Sequence, residues 1–135
     1  MSPPPLTVLL VEDDEVDVAT IRRALALSGI AHRLLVASEG GAALTMLRAA
    51  RTRTVVMLDL NLPGLGGLGL LRALRGDRDL CGVPVVVMTT SDDVRDVAAA
   101  YALHAAGFFR KPLEPARCID AVRAIAAYWT ESLLP

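Results

Sequence analysis

Lysine is almost absent from this 135-residue chain: thirteen arginines accompany one lysine, Lys111. Where arginine carries nearly all the positive charge, a lone compact ammonium with rotatable donors is less expected as surface decoration than as a point charge placed for a purpose. Cysteine is scarce as well. Cys81 and Cys118 stand far apart without CxxC or other metal-ligand spacing, which argues against a disulfide framework and a thiolate metal site and leaves two isolated half-buried thiols in a cytoplasmic protein. The two histidines, His32 and His104, fall on a weak strand and a helix, where packing or surface roles are expected and a hydrolase triad is not supported. No run approaches the roughly 18 apolar residues of a membrane-spanning helix, and the opening MSPPPL lacks the basic and apolar regions of a signal peptide. Strong charge of either sign is also missing; the formal net charge of −1 gives no general attraction to nucleic acid or an anionic membrane.

What is present reads as one globular domain, with 53% hydrophobic and 21% charged residues. Three consecutive prolines suit neither helix nor strand interior, so residues 1–5 are expected as a disordered arm and 6–135 as the domain. From Leu6 onward, apolar strand-like runs alternate with helical patterns five times. The run Val55–Leu58 has no polar alternation, which suits a strand buried on both faces, and it ends at Asp59, followed by the only asparagine, Asn61, and Pro63–Gly64. Leu6–Val11 ends in Glu12-Asp13-Asp14; Pro84–Met88 ends in Thr89-Thr90-Ser91; Phe108–Lys111 precedes Pro112. Ser91 is expected to cap the Ala-rich helix after the fourth strand, with Gly107 closing it. The cluster Gly64, Gly66, Gly67 and Gly69 lacks the order of a phosphate-cradling loop and is expected to make a loose helix entry. Such alternation implies a parallel sheet with right-handed crossovers and helices on both faces.

In such sheets ligands gather beyond the carboxyl ends of the strands. Glu12-Asp13, Asp59, Thr89 and Lys111 all fall there. Clustered carboxylates repel unless a cation joins them, and Mg²⁺ takes carboxylates together with waters and phosphate oxygens. Asp59 then has an oxygen free to attack phosphorus and form an acyl phosphate, with the Lys111 ammonium and the Thr89 hydroxyl meeting the phosphoryl oxygens.

The blocks VLLVEDD, LDLNLPG, VVVMTTS and FFRKP resemble the four signature blocks of the response-regulator receiver domain, in order and spacing. The resemblance implies a flavodoxin-like (βα)5 doubly wound fold with strand order 2-1-3-4-5. It implies Asp59 as phosphoacceptor for a histidine kinase, and Mg²⁺ held by Asp13, Asp59 and the Asn61 carbonyl, with Glu12 acting through water. Thr89 and Thr90 become the switch and phosphate-binding hydroxyls, Lys111 the phosphoryl counter-ion, Phe108 the aromatic switch, and Lys111–Pro112 a cis bond. VEDDEVD, YALHAAGFFRKP and the ending IAAYWTESLLP are further similar to single-domain regulators serving phytochrome-type kinases, without an output domain. Gly66-Gly67 departs from the acidic residue many receivers carry in that loop. Two other readings stand beside this one: an aspartyl-phosphate phosphohydrolase, which needs an acid where Asn61 stands, and a phosphorylation-independent scaffold, which the intact acidic and basic set opposes. Such a receiver is signalling machinery, not a turnover enzyme.

In the last helix Ile119, Val122, Ala126, Trp129 and Leu133 form the expected inward stripe. Ile125 and Tyr128 then face outward with Leu133 and Leu134 nearby, an apolar patch of the kind that marks interfaces. A homodimer through this helix and the C-terminal tail is the expected association.

Overall fold

Ten elements alternate along the described part of the chain, residues 4–49 and 53–135 of a computed structural model. They are β1 (Leu6–Val11), α1 (Glu15–Leu27), β2 (His32–Ala37), α2 (Gly40–Ala49), β3 (Thr54–Leu58), α3 (Gly66–Gly76), β4 (Val85–Thr89), α4 (Val94–Ala102), β5 (Gly107–Arg110) and α5 (Pro115–Thr130). The first three residues of the expected N-terminal arm, and Arg51, lie outside the described residues; Pro4 and Pro5 are exposed and carry no regular structure.

All strands pair in parallel, in the order β2-β1-β3-β4-β5. Residues of β1, β3 and β4 are buried throughout, as continuous apolar runs in inner strands require, whereas β2 and β5 hold the half-exposed edges. Because successive strand residues point to opposite faces, each inner run divides between two cores. Leu9, Val11, Val56, Leu58 and Val87 meet Leu47, Leu70, Leu71 and Leu74 on one face. Val8, Leu10, Met57 and Met88 meet Ile21, Leu25, Val122 and Ile125 on the other. Among the described residues no helix is long and apolar enough to cross a membrane.

Four local expectations are corrected. Asp93, not Ser91, caps α4, because its carboxylate accepts from the Arg95 N–H while Ser91 Oγ donates to Asp96 Oδ2 at 2.7 Å. The same helix ends at Ala102 with Leu103 as its C-cap, and His104 takes the left-handed conformation (φ 60°) expected of Gly107; Gly107 instead opens β5. The entry to α3 is packed, not loose. A Cβ on buried Gly67 would lie 2.4 Å from Leu60 Cα and 2.6 Å from the Asp59 carbonyl oxygen, so the helix rests directly on the backbone leaving β3. Finally, Ile125 faces the core with Cys118, Val122 and Ala126, so the inward stripe of α5 is centred one position away from the expected one. Leu133 lies beyond the helix end, fully exposed, and Leu134 packs against the core.

Candidate functional site

The order in which strands are added to the sheet reverses between the neighbours β1 and β3, so their carboxyl ends open on the crevice where such folds bind ligands. The register sets Val11 opposite Leu58, so Glu12 and Asp59 leave the sheet side by side. Backbone bonds hold both: the Glu12 N–H donates to the Ala37 carbonyl at 2.9 Å, and the Asp59 N–H to the Val11 carbonyl at 3.0 Å. Thr89, fully buried, ends β4, and the Lys111 N–H donates to its carbonyl at 2.7 Å. That bond starts the Lys111 side chain at the sheet edge, from which it crosses to β3 and β1.

The ammonium meets three carboxylates. Lys111 Nζ donates to Glu12 Oε1, to Asp17 Oδ2 at 2.8 Å and to Asp59 Oδ2 at 3.1 Å. An ammonium has three N–H donors, so all of them are used. The Lys111 side chain is 8% exposed, with Glu12 at 1%, Asp59 at 9% and Asp17 at 39%. Asp59 Oδ1 accepts the Asn61 N–H at 3.0 Å, which fixes the carboxylate plane. The Asn61 amide approaches the hydroxyls of Thr89 (3.5 Å) and exposed Thr90 (3.4 Å). Phe108 is partly buried against the core on the α2–α3–α4 face.

Burial pushes the Glu12 carboxyl up to about 8, reinforced by its hydrogen bond with Asp59 and opposed by the Lys111 ammonium. Burial also works to raise Asp59, but the hydrogen bonds from Glu12 and the Asn61 N–H and the charge of Lys111 hold it below the ordinary carboxylate value. Burial disfavours the charged form of Lys111, yet its carboxylate partners outweigh this and raise its pKa. The surroundings thus favour the protonated form of Glu12 and the charged form of Asp59.

Oxygens of Glu12, Asp17 and Asp59 converge to within 4.8 Å of one another. Carboxylate oxygens suit a hard divalent cation, so Glu12 and Asp59 fit the expected ion, whereas Asp17 meets them through the Lys111 ammonium. Two of the expected holders, Glu12 and Asp59, are among the three that converge. Asp13 is exposed, its N–H donates to Glu12 Oε2 at 3.1 Å, and its carboxylate is not among the three that converge. Asp17 takes a place that sequence reasoning did not assign. A signal for it existed: Asp14 caps α1 by accepting the N–H groups of Val16 and Asp17, which puts Asp17 in the first turn. Side chains on a helix lean toward its N-terminus, so an acid there reaches back toward the strand ends.

Among the described residues no peptide bond is cis, so Lys111–Pro112 is trans where the resemblance implied cis. The trans form is favoured even for X–Pro, by about 0.5–1 kcal/mol. With the trans bond, Lys111 still reaches all three carboxylates.

Comparison with known proteins agrees with this geometry. Residues 8–123 match the response regulator receiver domain. The response regulator Rcp1 of Synechocystis sp. is 33% identical over 98% of this chain and 94% of its own. The crystal structure of the phosphorylated cyanobacterial phytochrome response regulator RcpA superposes with a TM-score of 0.90 at 31% identity, covering 98% of this chain and 99% of that one. The Mn²⁺-bound form of Rcp1 gives a TM-score of 0.86 at 33% identity, over 97% and 99%. Sheet order, acidic pocket and matched residues lead to one conclusion: the chain belongs to the response regulator receiver domain family, a two-component signalling module and not a turnover enzyme.

Proposed function

We propose that Asp59 is the phosphoacceptor and that a histidine kinase of the phytochrome-associated type is its donor. The observation that carries this reading is the single buried ammonium bonded to Asp59 at the carboxyl ends of the inner strands. A carboxylate oxygen of Asp59 attacks the donor phosphorus and the bond from phosphorus to the leaving group breaks, which leaves an acyl phosphate. Lys111 balances the phosphoryl charge and the Thr89 hydroxyl donates to a phosphoryl oxygen. The ion is Mg²⁺ on this reading; Asp13, Asp59, the Asn61 carbonyl and Glu12 would hold it, and it would neutralise phosphoryl oxygens. Relatives support a divalent ion and a phosphorylated state, since RcpA was solved phosphorylated and Rcp1 with Mn²⁺. Asn61 stands where a phosphohydrolase of this chemistry needs an acid, and an amide neither gives nor takes a proton there.

The test is incubation with Mg²⁺ and a small acyl phosphate, followed by intact mass. Wild type gains one phosphoryl group and Asp59→Asn gains none; undiminished labelling of the variant would remove Asp59 from this role.

A second reading concerns association. Tyr128 is 66% exposed beside an apolar groove of about 480 Å³ whose lining includes Phe109, Ile125 and Trp129. We infer that two copies pair across this face, with Tyr128 and Leu133 at the contact and Ile125 and Leu134 supporting it from within. Tyr128→Glu should move the protein toward monomer in sedimentation without lowering its unfolding midpoint. Wild type that sediments as a monomer at high micromolar concentration would refute the pairing.

A further inference from the structure

The phosphoacceptor reading leaves Asp17 without a task, although it holds one of the three donors of Lys111. A phosphoryl group on Asp59 brings oxygens that need a donor from the same ammonium. All three donors are taken, and the lysine side chain is too buried for water to make up a missing partner. The donor that met Asp59 Oδ2 passes to the phosphoryl group, which carries up to two charges where the carboxylate carried one, so a second donor is drawn from one of the other two carboxylates. Glu12 is nearly sealed from solvent, so its Oε1 has no water to replace the ammonium, although its Oε2 keeps the Asp13 N–H. Asp17 is the half-exposed member, and its charge passes to water and to the positive first turn of α1. We propose that Asp17 is a positioning residue that competes with the phosphoryl group for Lys111, so that the phosphoryl replaces the Asp17 carboxylate on the ammonium. This rests on Asp59 being the phosphoacceptor.

The exchange has a cost that depends on Asp17 alone. Replacing the carboxylate by an amide weakens the resting hold on one donor of Lys111, and the phosphoryl group then meets less competition. Because the pair is partly solvated, the gain is modest: about three- to tenfold in affinity for a tetrahedral phosphoryl mimic.

The full chain is titrated with beryllium fluoride at saturating Mg²⁺, and Mn²⁺ affinity is measured separately by calorimetry. Asp17→Asn binds beryllofluoride three- to tenfold more tightly, with Mn²⁺ affinity changed less than twofold. Glu15→Gln, which removes an exposed acid from the same helical turn, leaves both unchanged. The gain is absent in a Lys111→Gln background, as an effect acting through that ammonium requires. Four results overturn the proposal: unchanged or weaker beryllofluoride binding by Asp17→Asn, the same gain from Glu15→Gln, a gain that persists in Lys111→Gln, or a tenfold loss of Mn²⁺ affinity, which makes Asp17 a metal ligand. Failure of the underlying reading looks different: Asp59→Asn then takes up beryllofluoride as wild type does.

Discussion

Gly67→Ala tests whether the site is held by the close approach of α3 to the strand end. The added Cβ would fall 2.4 Å from Leu60 Cα and 2.6 Å from the Asp59 carbonyl oxygen, and both are backbone atoms with no rotamer to change. Relief requires the helix start or the loop to move. Overpacking of a well-filled site costs about 1–3 kcal/mol, and the rigidity of both neighbours puts this case at the upper end. Alanine recovers up to about 1 kcal/mol of helix propensity over glycine. A net loss of about 2 kcal/mol remains by this balance. With a urea slope of about 2 kcal/mol per molar, the midpoint falls by about 1 M. Urea unfolding followed by circular dichroism and by fluorescence of Trp129 gives that number. Gly76→Ala is the control, since no atom lies within 4 Å of its Cβ position and only the propensity gain of at most about 1 kcal/mol applies. The displaced loop also carries the Asn61 N–H that fixes Asp59, so phosphorylation by a small donor slows in the same variant. A Gly67→Ala midpoint equal to or above that of wild type would refute the packing argument.

Three further perturbations have defined outcomes. Glu12 titrates near 8 in the fold against 4.5 unfolded, so its contribution to stability is complete below about pH 4.5 and is lost as pH rises through about 8. Asp59, lowered from 3.8, has the opposite sign and loses its contribution as pH falls. Metal-free Glu12→Gln should therefore show a shallower decline in stability between pH 5 and 8, the difference in slope being at most about 1.4 kcal/mol per pH unit; parallel urea-midpoint curves would count against it. Arg75 donates to the carbonyls of Leu103, His104, Cys81 and Val83, so Arg75→Met strands several acceptors and lowers stability by about 2–4 kcal/mol, with exchange protection lost first at residues 103–105. Unchanged protection there would show that the guanidinium is dispensable. Thr89→Ala should still accept phosphate but lose the change in exchange protection that phosphorylation brings to α4, whose only fully buried residue is Ala100; a wild-type response in the variant would exclude the hydroxyl as the sensor.

The fold is legible because each inner strand contains a continuous apolar run ended by a polar residue, and the runs at Val8, Val55 and Val85 carry this pattern without interruption. Three of the residues brought together at the strand ends, Glu12, Asp59 and Lys111, were legible for the same reason, since position at a strand terminus is a one-dimensional property. Asp17 was not, because its place depends on how α1 leans back over the sheet, which needs the cap at Asp14 and the helix direction together. Helix ends were the least legible. Ser91 and Asp93 are both good caps by composition, and the choice fell to Asp93 because Ser91 is engaged by Asp96 and Thr89. The place of Ile125 is not legible because two stripes one residue apart are both periodic, and only the sheet surface distinguishes them. Gly67 suggests slack in the sequence and is contact in the fold, since a missing side chain means either freedom or proximity and the sequence does not say which.

The solitary lysine makes the protein an unusually simple spectroscopic object. Supplying nitrogen-15 in lysine alone should yield one backbone amide cross-peak, because the chain has one such residue. That amide is the donor of the 2.7 Å bond to the Thr89 carbonyl, which joins the ends of β4 and β5. Its shift reads the distance between the two strands that carry the ammonium and the hydroxyl. Its line shape would report exchange between the two arrangements of the site. A single resonance, with no assignment needed, would follow the signalling state in a crowded extract as readily as in a purified sample.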